Sequence, residues 1–338
     1  MLNLLTETVY FITTTSIFSK EEEHTMIRTE LCDLLGIEFP IIQGSMAHIA
    51  NGHLAGSVSE AGGLGIIASG FADEAFTREQ IRIARSITSK PFGVNIILEN
   101  PLAPQIAQIC ADEKIAVVTT GAGTPEAFMP VLVNAGIKVI PVIPHVRAAK
   151  KMEKLGATAV VAEGLESGGH IGKMTTLPLV RQVVDAVNIP VIAAGGIADG
   201  RGFLAALMLG AVGVQMGTAF LASEECDVSD LYKQMIIDAI DTSTVITGQS
   251  EKKQVRNIKN PFTDRYWELA ASGATPEELD QFCTGSLRRA RDGDFEGGSF
   301  QAGQIAGLIK EIKPARKLMQ DIMYQADEAY ASFRAKYY

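Results

Sequence analysis

Between Ala162 and Lys173 the chain reads AEGLESGGHIGK, where one histidine, His170, stands among Gly168, Gly169 and Gly172. A histidine presented on such a turn is suited to proton transfer near neutral pH. The glycines around it admit positive φ and let a flat ligand approach the backbone. The competing reading is a surface loop whose histidine only makes local hydrogen bonds. Which reading holds depends on what positions the loop. The residues just before it, Ala159–Ala162, read as a buried strand that delivers Glu163 and Gly164 at its end.

Two further segments could bind an anion. AAGGIADGRG presents Gly195 and Gly196, and QMGTAF presents Gln215, Met216, Gly217 and Thr218. Unobstructed main-chain N–H groups at paired glycines form an anion nest, reinforced where a helix begins. Thr218 adds a hydroxyl, whereas Asp199 is expected to cap the following helix. Neutral side chains gather at other strand ends: Gln43, Gly44, Ser45 and Met46, then Asn95, then Thr119 and Thr120. Taken singly, Asn95 could be a satisfied buried amide and Met46 ordinary core. Placed around one mouth, they suit an uncharged heteroaromatic ring better than a metal or a sugar phosphate. A phosphorylated flavin meets both demands.

The elements that must bring these residues together are eight short apolar runs: PIIQGSM, GLGIIAS, FGVNIIL, VVTTGAG, KVIPVIP, AVVAEG, VIAAGG and GVQMGTAF. Continuous Val/Ile content, rather than polar alternation, marks strands covered on both faces. Helical periodicity separates them, as in Glu79–Ile87 and Leu177–Val187. Glycine stops follow at Gly62, Gly136, Gly156 and Gly210. Eight βα units predict a (β/α)8 barrel, spanning 26–223. Residues 224–296 are expected to form a helical cap over the barrel mouth, and 297–338 a return segment ending in one amphipathic helix from Pro314. Residues 1–25 carry no basic n-region or small-residue cleavage site, and their apolar stretch is too short to span a bilayer. They are expected to be dispensable, with Met26 the natural start.

Composition fits a cytoplasmic enzyme. The four cysteines are scattered without a CxxC pair, and no zinc-type grouping forms with the five histidines. A net charge of −9 over 338 residues argues against nucleic-acid or anionic-membrane binding. One basic cluster interrupts it: Lys252, Lys253, Arg256 and Lys259 are the expected surface patch for an acidic partner.

Several of these runs resemble FMN-dependent enoyl-acyl-carrier-protein reductase II, within the nitronate monooxygenase (2-nitropropane dioxygenase) family. They are GLGIIAS, KPFGVNI, VVTTGAG, AEGLESGGHIGKMTT, IPVIAAGGIADGRG, QMGTAF and GQIAGL. The resemblance extends from about Met26 nearly to the C-terminus. It implies a TIM barrel, non-covalent FMN, a homodimer, and NADH or NADPH as reductant. Carried over position by position, it places Gly44, Ser45, Met46, Asn95, Glu163, Gly168, Gly195, Gly196 and Gln215–Thr218 around FMN. His170 becomes the catalytic histidine, and no metal is implied. Two positions depart from the family pattern. Ser45 stands in a motif that is usually Gly-Gly-Met, and Lys253 occupies the histidine position of a Gly-His-x-x-Arg sequence whose arginine matches Arg256. Three functions follow: reduction of enoyl-acyl-carrier protein, oxidation of alkyl nitronates by FMN and oxygen, and non-catalytic FMN binding. A presented histidine argues against the last, because a carrier has no use for one. The length of the match through EGLESGGHIGKMTT and the cap favours the first.

Overall fold

The computed structural model describes residues 27–70, 72–248 and 254–338. The expected leader therefore lies outside the described residues, as do Lys252 and Lys253. The eight apolar runs form β1 (Ile41–Gln43), β2 (Ile66–Ala68), β3 (Gly93–Ile97), β4 (Val117–Gly121), β5 (Lys138–Ile143), β6 (Val160–Glu163), and, after a two-residue strand β7 (Gly169–His170), β8 (Val191–Ala194) and β9 (Gly213–Met216). Apart from β7 they pair in parallel, in the order β1-β9-β8-β6-β5-β4-β3-β2. A parallel bridge from Ile42 to Leu64, just ahead of β2, closes the ring. The result is a (β/α)8 barrel.

Helices follow the strands around the outside: α1 (Glu30–Leu35) before β1, then α2 (Gly52–Glu60), α3 (Glu74–Ile87), α4 (Ala103–Asp112), α5 (Met129–Asn134), α6 (Val146–Lys154), α7 (Thr176–Val184), α8 (Gly200–Met208) and the short α9 (Thr218–Leu221). The four glycines expected to stop helices all have positive φ, between 75° and 107°. Consecutive strand residues fall into different apolar clusters: Ile41, Val160 and Ala193 in the larger, Ile42, Val161 and Ile192 in the smaller. Neighbouring strand side chains point to opposite faces, so the smaller cluster is the barrel interior. Leu31 and Leu35 of α1 join it. Since α1 also hydrogen-bonds through Thr29 to the carbonyl of Val212, just before β9, it plugs the end away from the mouth.

One side-chain amide reinforces the seam. Gln43 is fully buried, accepting from the Ile66 N–H at 3.1 Å and donating to the Ile66 carbonyl at 3.3 Å. Its side chain thus extends to Ile66 a seam that begins with two main-chain bonds, from the Gln43 N–H to the Leu64 carbonyl and from the Leu64 N–H to the Ile41 carbonyl. Gln43 was expected to face a ligand, and its amide is instead consumed by barrel closure.

Beyond α9 the chain forms α10 (Asp230–Ile237), β10 (Thr244–Thr247), β11 (Val255–Ile258), α11 (Pro261–Ala271), α12 (Pro276–Cys283), α13 (Ser286–Arg291) and α14 (Ala315–Tyr337). The 224–296 segment, expected to be helical, combines four helices with a β-hairpin among the described residues. The hairpin extends β7 into a three-stranded antiparallel sheet, with Val255 opposite His170 and Arg256 opposite Gly169. The C-terminal helix is amphipathic, burying Met319, Ile322, Met323 and Ala326. It packs backbone to backbone on α8, where a Cβ at Gly200 would lie 2.3 Å from the Ala326 nitrogen.

Candidate active site

The rim at the ends of β8 and β9 is built from main-chain atoms. Gly195 and Gly196 both adopt left-handed conformations, at φ 85° and 74°. That double reversal is open only to glycine without strain, and a Cβ on Gly195 would also sit 2.8 Å from the Gly164 carbonyl. Among the described residues, the N–H groups of Gly195, Gly196, Gly217 and Thr218 have no protein acceptor. A cluster of unbonded donors at two adjacent strand ends is an anion cradle. Asp199 caps α8 by accepting from the Gly202 N–H at 2.9 Å, as expected. The Thr218 hydroxyl is partly committed elsewhere, since its oxygen accepts from the Gly303 N–H at 2.9 Å.

The β1 end lies against this rim. The Gly44 N–H donates to the Met216 carbonyl at 2.8 Å, and a Cβ on Gly44 would come within 3.1 Å of the buried Gln215 side chain. Met46 places its sulfur near Gly217, and Ser45 is half-buried beside it. Asn95 belongs to the other arc of the barrel, where it is buried and donates to Thr119 Oγ1 at 2.9 Å. The buried-amide reading of Asn95 therefore describes its donor side.

The loop from β6 to β7 is held differently. Glu163 is half-buried and accepts from the Ser167 hydroxyl at 3.1 Å. Burial pushes its carboxyl up to about 7, and the serine bond only partly opposes that shift. Gly168 meets the return segment at backbone distance, because a Cβ there would fall 2.7 Å from Ala302 and Gly303. His170 is exposed, and its ring has no hydrogen-bond partner among the described residues.

Three anchors of this loop have no counterpart in the sequence reading. Glu166 accepts from the Thr176 N–H at 2.9 Å and the Thr176 hydroxyl at 2.8 Å, while the Glu166 carbonyl accepts from the Gln304 N–H. Tyr232 donates to the Gln301 carbonyl at 2.7 Å, fixing the return segment that Gly168 touches. The third anchor corrects an expectation. Arg256 was assigned to a surface patch but is only 3% exposed. Its guanidinium donates twice to the Leu165 carbonyl, at 3.0 and 3.3 Å, and once to Thr244. Burial lowers its pKa, and the nearby charge of Glu166 works against that. An internal tie cannot also greet an acidic partner. Lys259, by contrast, is exposed beside Asp264.

Among the described residues no three His, Cys, Asp or Glu side chains converge as metal ligands. No helix of these residues is long and apolar enough to cross a membrane.

Sequence and structure comparisons agree on kinship. The sequence pattern of nitronate monooxygenase matches residues 28–113 and 102–325. A probable nitronate monooxygenase of Staphylococcus aureus is 34% identical, over 89% of this chain and 98% of its own. FabK from Thermotoga maritima superimposes with a TM-score of 0.89 at 48% identity, covering 92% of this chain and 99% of its own. A nitroalkane oxidase from Streptomyces ansochromogenes gives 0.79 at 29% identity, covering 90% and 100%. With its barrel, its glycine rim and matches of this extent, the chain belongs to the nitronate monooxygenase family of oxidoreductases.

Proposed function

We propose that the protein reduces the trans-2 double bond of an enoyl thioester borne by acyl-carrier protein, using FMN held at the barrel mouth and NADH or NADPH as reductant. The observation that carries this reading is His170, an exposed imidazole with no hydrogen-bond partner among the described residues, fixed on a strand at the ligand-binding end of the barrel. Its motif run resembles the reductase branch. The chain is also nearer in identity to FabK of Thermotoga than to the nitroalkane oxidase of Streptomyces.

The residues present fit FMN. Unbonded amides at Gly195, Gly196, Gly217 and Thr218 suit a phosphate dianion. Gly44, Ser45, Met46, Gln215, Met216 and Asn95 offer neutral surface for the ring, with Glu163 and Gly168 on the β6 side. When bound, FMN would supply hydride to the substrate β-carbon. The chain's own part is acid chemistry. As negative charge develops on the thioester oxygen, the His170 imidazole donates a hydrogen bond to it, and a proton must then reach the α-carbon. The remaining organisation follows the same reading. Residues 26–223 form the barrel, 224–296 cover its mouth, and 297–338 return to lock the β6–β7 loop. The enzyme works in the cytoplasm as a homodimer.

Oxidation of alkyl nitronates is the second reading, favoured by the name of the Staphylococcus relative. One experiment separates the two. Under anaerobic conditions the flavin-loaded protein should consume NADH or NADPH on addition of a crotonoyl thioester. Turnover confined to a nitronate under air would replace this proposal with the second. Flavin released by heat should chromatograph as FMN.

A further inference from the structure

The burial of Arg256 leaves open where an acidic protein substrate would dock, and the outer wall offers a different place. On α6, Arg147, Lys150, Lys151 and Lys154 are spaced i, i+3, i+4 and i+7, so they form one stripe on one face. All four are exposed. Only Lys151 has an ion pair, with Glu126 at 3.1 Å; among the described residues Arg147, Lys150 and Lys154 have no acidic partner. Like charges at these spacings weaken a helix by roughly 0.2–0.5 kcal/mol per pair. The stripe is therefore a local excess of positive charge, maintained against its own repulsion, on a chain whose net charge is −9.

Its position matters as much as its charge. Helix α6 begins directly after β5, at the mouth end of the barrel. An open groove of about 310 Å³ lies between the first turn of α6, at His145, Val146 and Arg147, and α7, at Leu179 and Gln182, and reaches Met174 just before α7. A second, open groove of about 610 Å³ continues from Val146 and Arg147 past Lys150, Lys151 and Lys154. Gly172 packs against Pro144 at the junction, where a Cβ would lie 2.9 Å from the proline ring. The two depressions share Val146 and Arg147, so the basic stripe is continuous with the groove that reaches Met174, four residues after His170. The stripe then runs roughly 10 Å down the outside of the barrel, away from any small ligand held in the mouth.

We propose that the α6 face is the docking surface for the acidic protein that carries the substrate, with the groove beside Met174 admitting its acyl arm to His170. This rests on the carrier-bound substrate proposed above. A small anionic cofactor would be served by the rim amides and gains little from charges so far down the wall.

The test uses the flavin-loaded enzyme and its triple variant Arg147→Glu, Lys150→Glu, Lys154→Glu, with Lys150→Ala, Lys154→Ala as a milder pair should the first fail to fold. Steady-state kinetics would compare crotonoyl-acyl-carrier protein with the uncharged crotonoyl N-acetylcysteamine thioester, and a salt titration would follow direct binding of acyl-carrier protein. Charge reversal should raise KM for the carrier-bound substrate about tenfold or more, with less than a twofold change for the free thioester or the nicotinamide. It should also flatten the salt dependence of carrier binding. Unaltered carrier affinity overturns the proposal. So does an equal loss on both thioesters, or a loss expressed only in the KM for the nicotinamide. If the wild-type protein reduces neither thioester, the functional reading fails alone, and the binding titration still decides the surface.

Discussion

The two sides of the barrel mouth are built on opposite principles. The β8–β9 rim is local: its donors belong to Gly195, Gly196, Gly217 and Thr218, and their geometry is set within a few residues by backbone conformation and the Asp199 cap. The β6–β7 loop is held from afar. Arg256 ties it from 91 residues away, the Gln304 amide meets the Glu166 carbonyl, and β11 supplies the strand that straightens His170. An anion needs fixed dipoles, which glycines provide cheaply. The proposed proton donor needs a fixed placement over a variable substrate, and here its loop is held by β11 and by the return segment. The division implies that binding and chemistry can be damaged separately.

The largest expected effect lies on the histidine side. His170→Ala should lower turnover on the enoyl thioester by about 10²–10⁴ while FMN stays bound. Loss of flavin with activity, measured by absorbance after gel filtration, would show that the two sides are not separable. On the rim, Gly195→Ala should do the reverse. It places a side chain at φ 85° and against the Gly164 carbonyl. Backbone strain of about 1–3 kcal/mol would weaken FMN binding by roughly 10–100-fold, and turnover at saturating FMN should recover most of its value. Titration of apoprotein with FMN measures this directly.

Arg256→Ala sharpens the comparison from the cap. It leaves the Leu165 carbonyl without its guanidinium, at a cost of about 1–3 kcal/mol, visible as a lower Tm. The variant should keep its FMN affinity and lose kcat, with partial rescue by Arg256→Lys. A variant that loses stability alone would show that the tie does not position His170. The smallest effect concerns Glu163. Because burial raises its carboxyl to about 7, the folded protein favours the protonated form. The stability this contributes is full below the ordinary carboxylate range and is lost as pH rises through about 7. Glu163→Gln should remove that decline, seen as a flatter profile of Tm against pH for the apoprotein.

Legibility in the sequence follows the same division. The barrel could be read because buried parallel strands are unbroken apolar runs, several of them preceded by a helix with a glycine stop. The rim could be read because Gly195, Gly196 and Gly217 act through their own backbone. The hairpin was hidden: TVIT and VRNI are short and partly polar, and an arginine within a run of basic residues resembles a solvated surface. Nothing local reveals that Arg256 turns inward to Leu165. Gln43 misled for a related reason. An amide at a strand end reads as a ligand contact, and its actual partner, Ile66, is a main-chain group 23 residues on.

That glutamine has a consequence for motion. Seven neighbouring strand pairs are stitched by main-chain ladders, whereas the eighth junction has two main-chain bonds, from the Gln43 N–H to the Leu64 carbonyl and from the Leu64 N–H to the Ile41 carbonyl, and the Gln43 side chain continues it to Ile66. The side-chain part of that seam can be undone by a rotamer change, while the two main-chain bonds stay in place. The Ile66 amide should therefore exchange its hydrogen sooner than amides at the centres of β3 and β4.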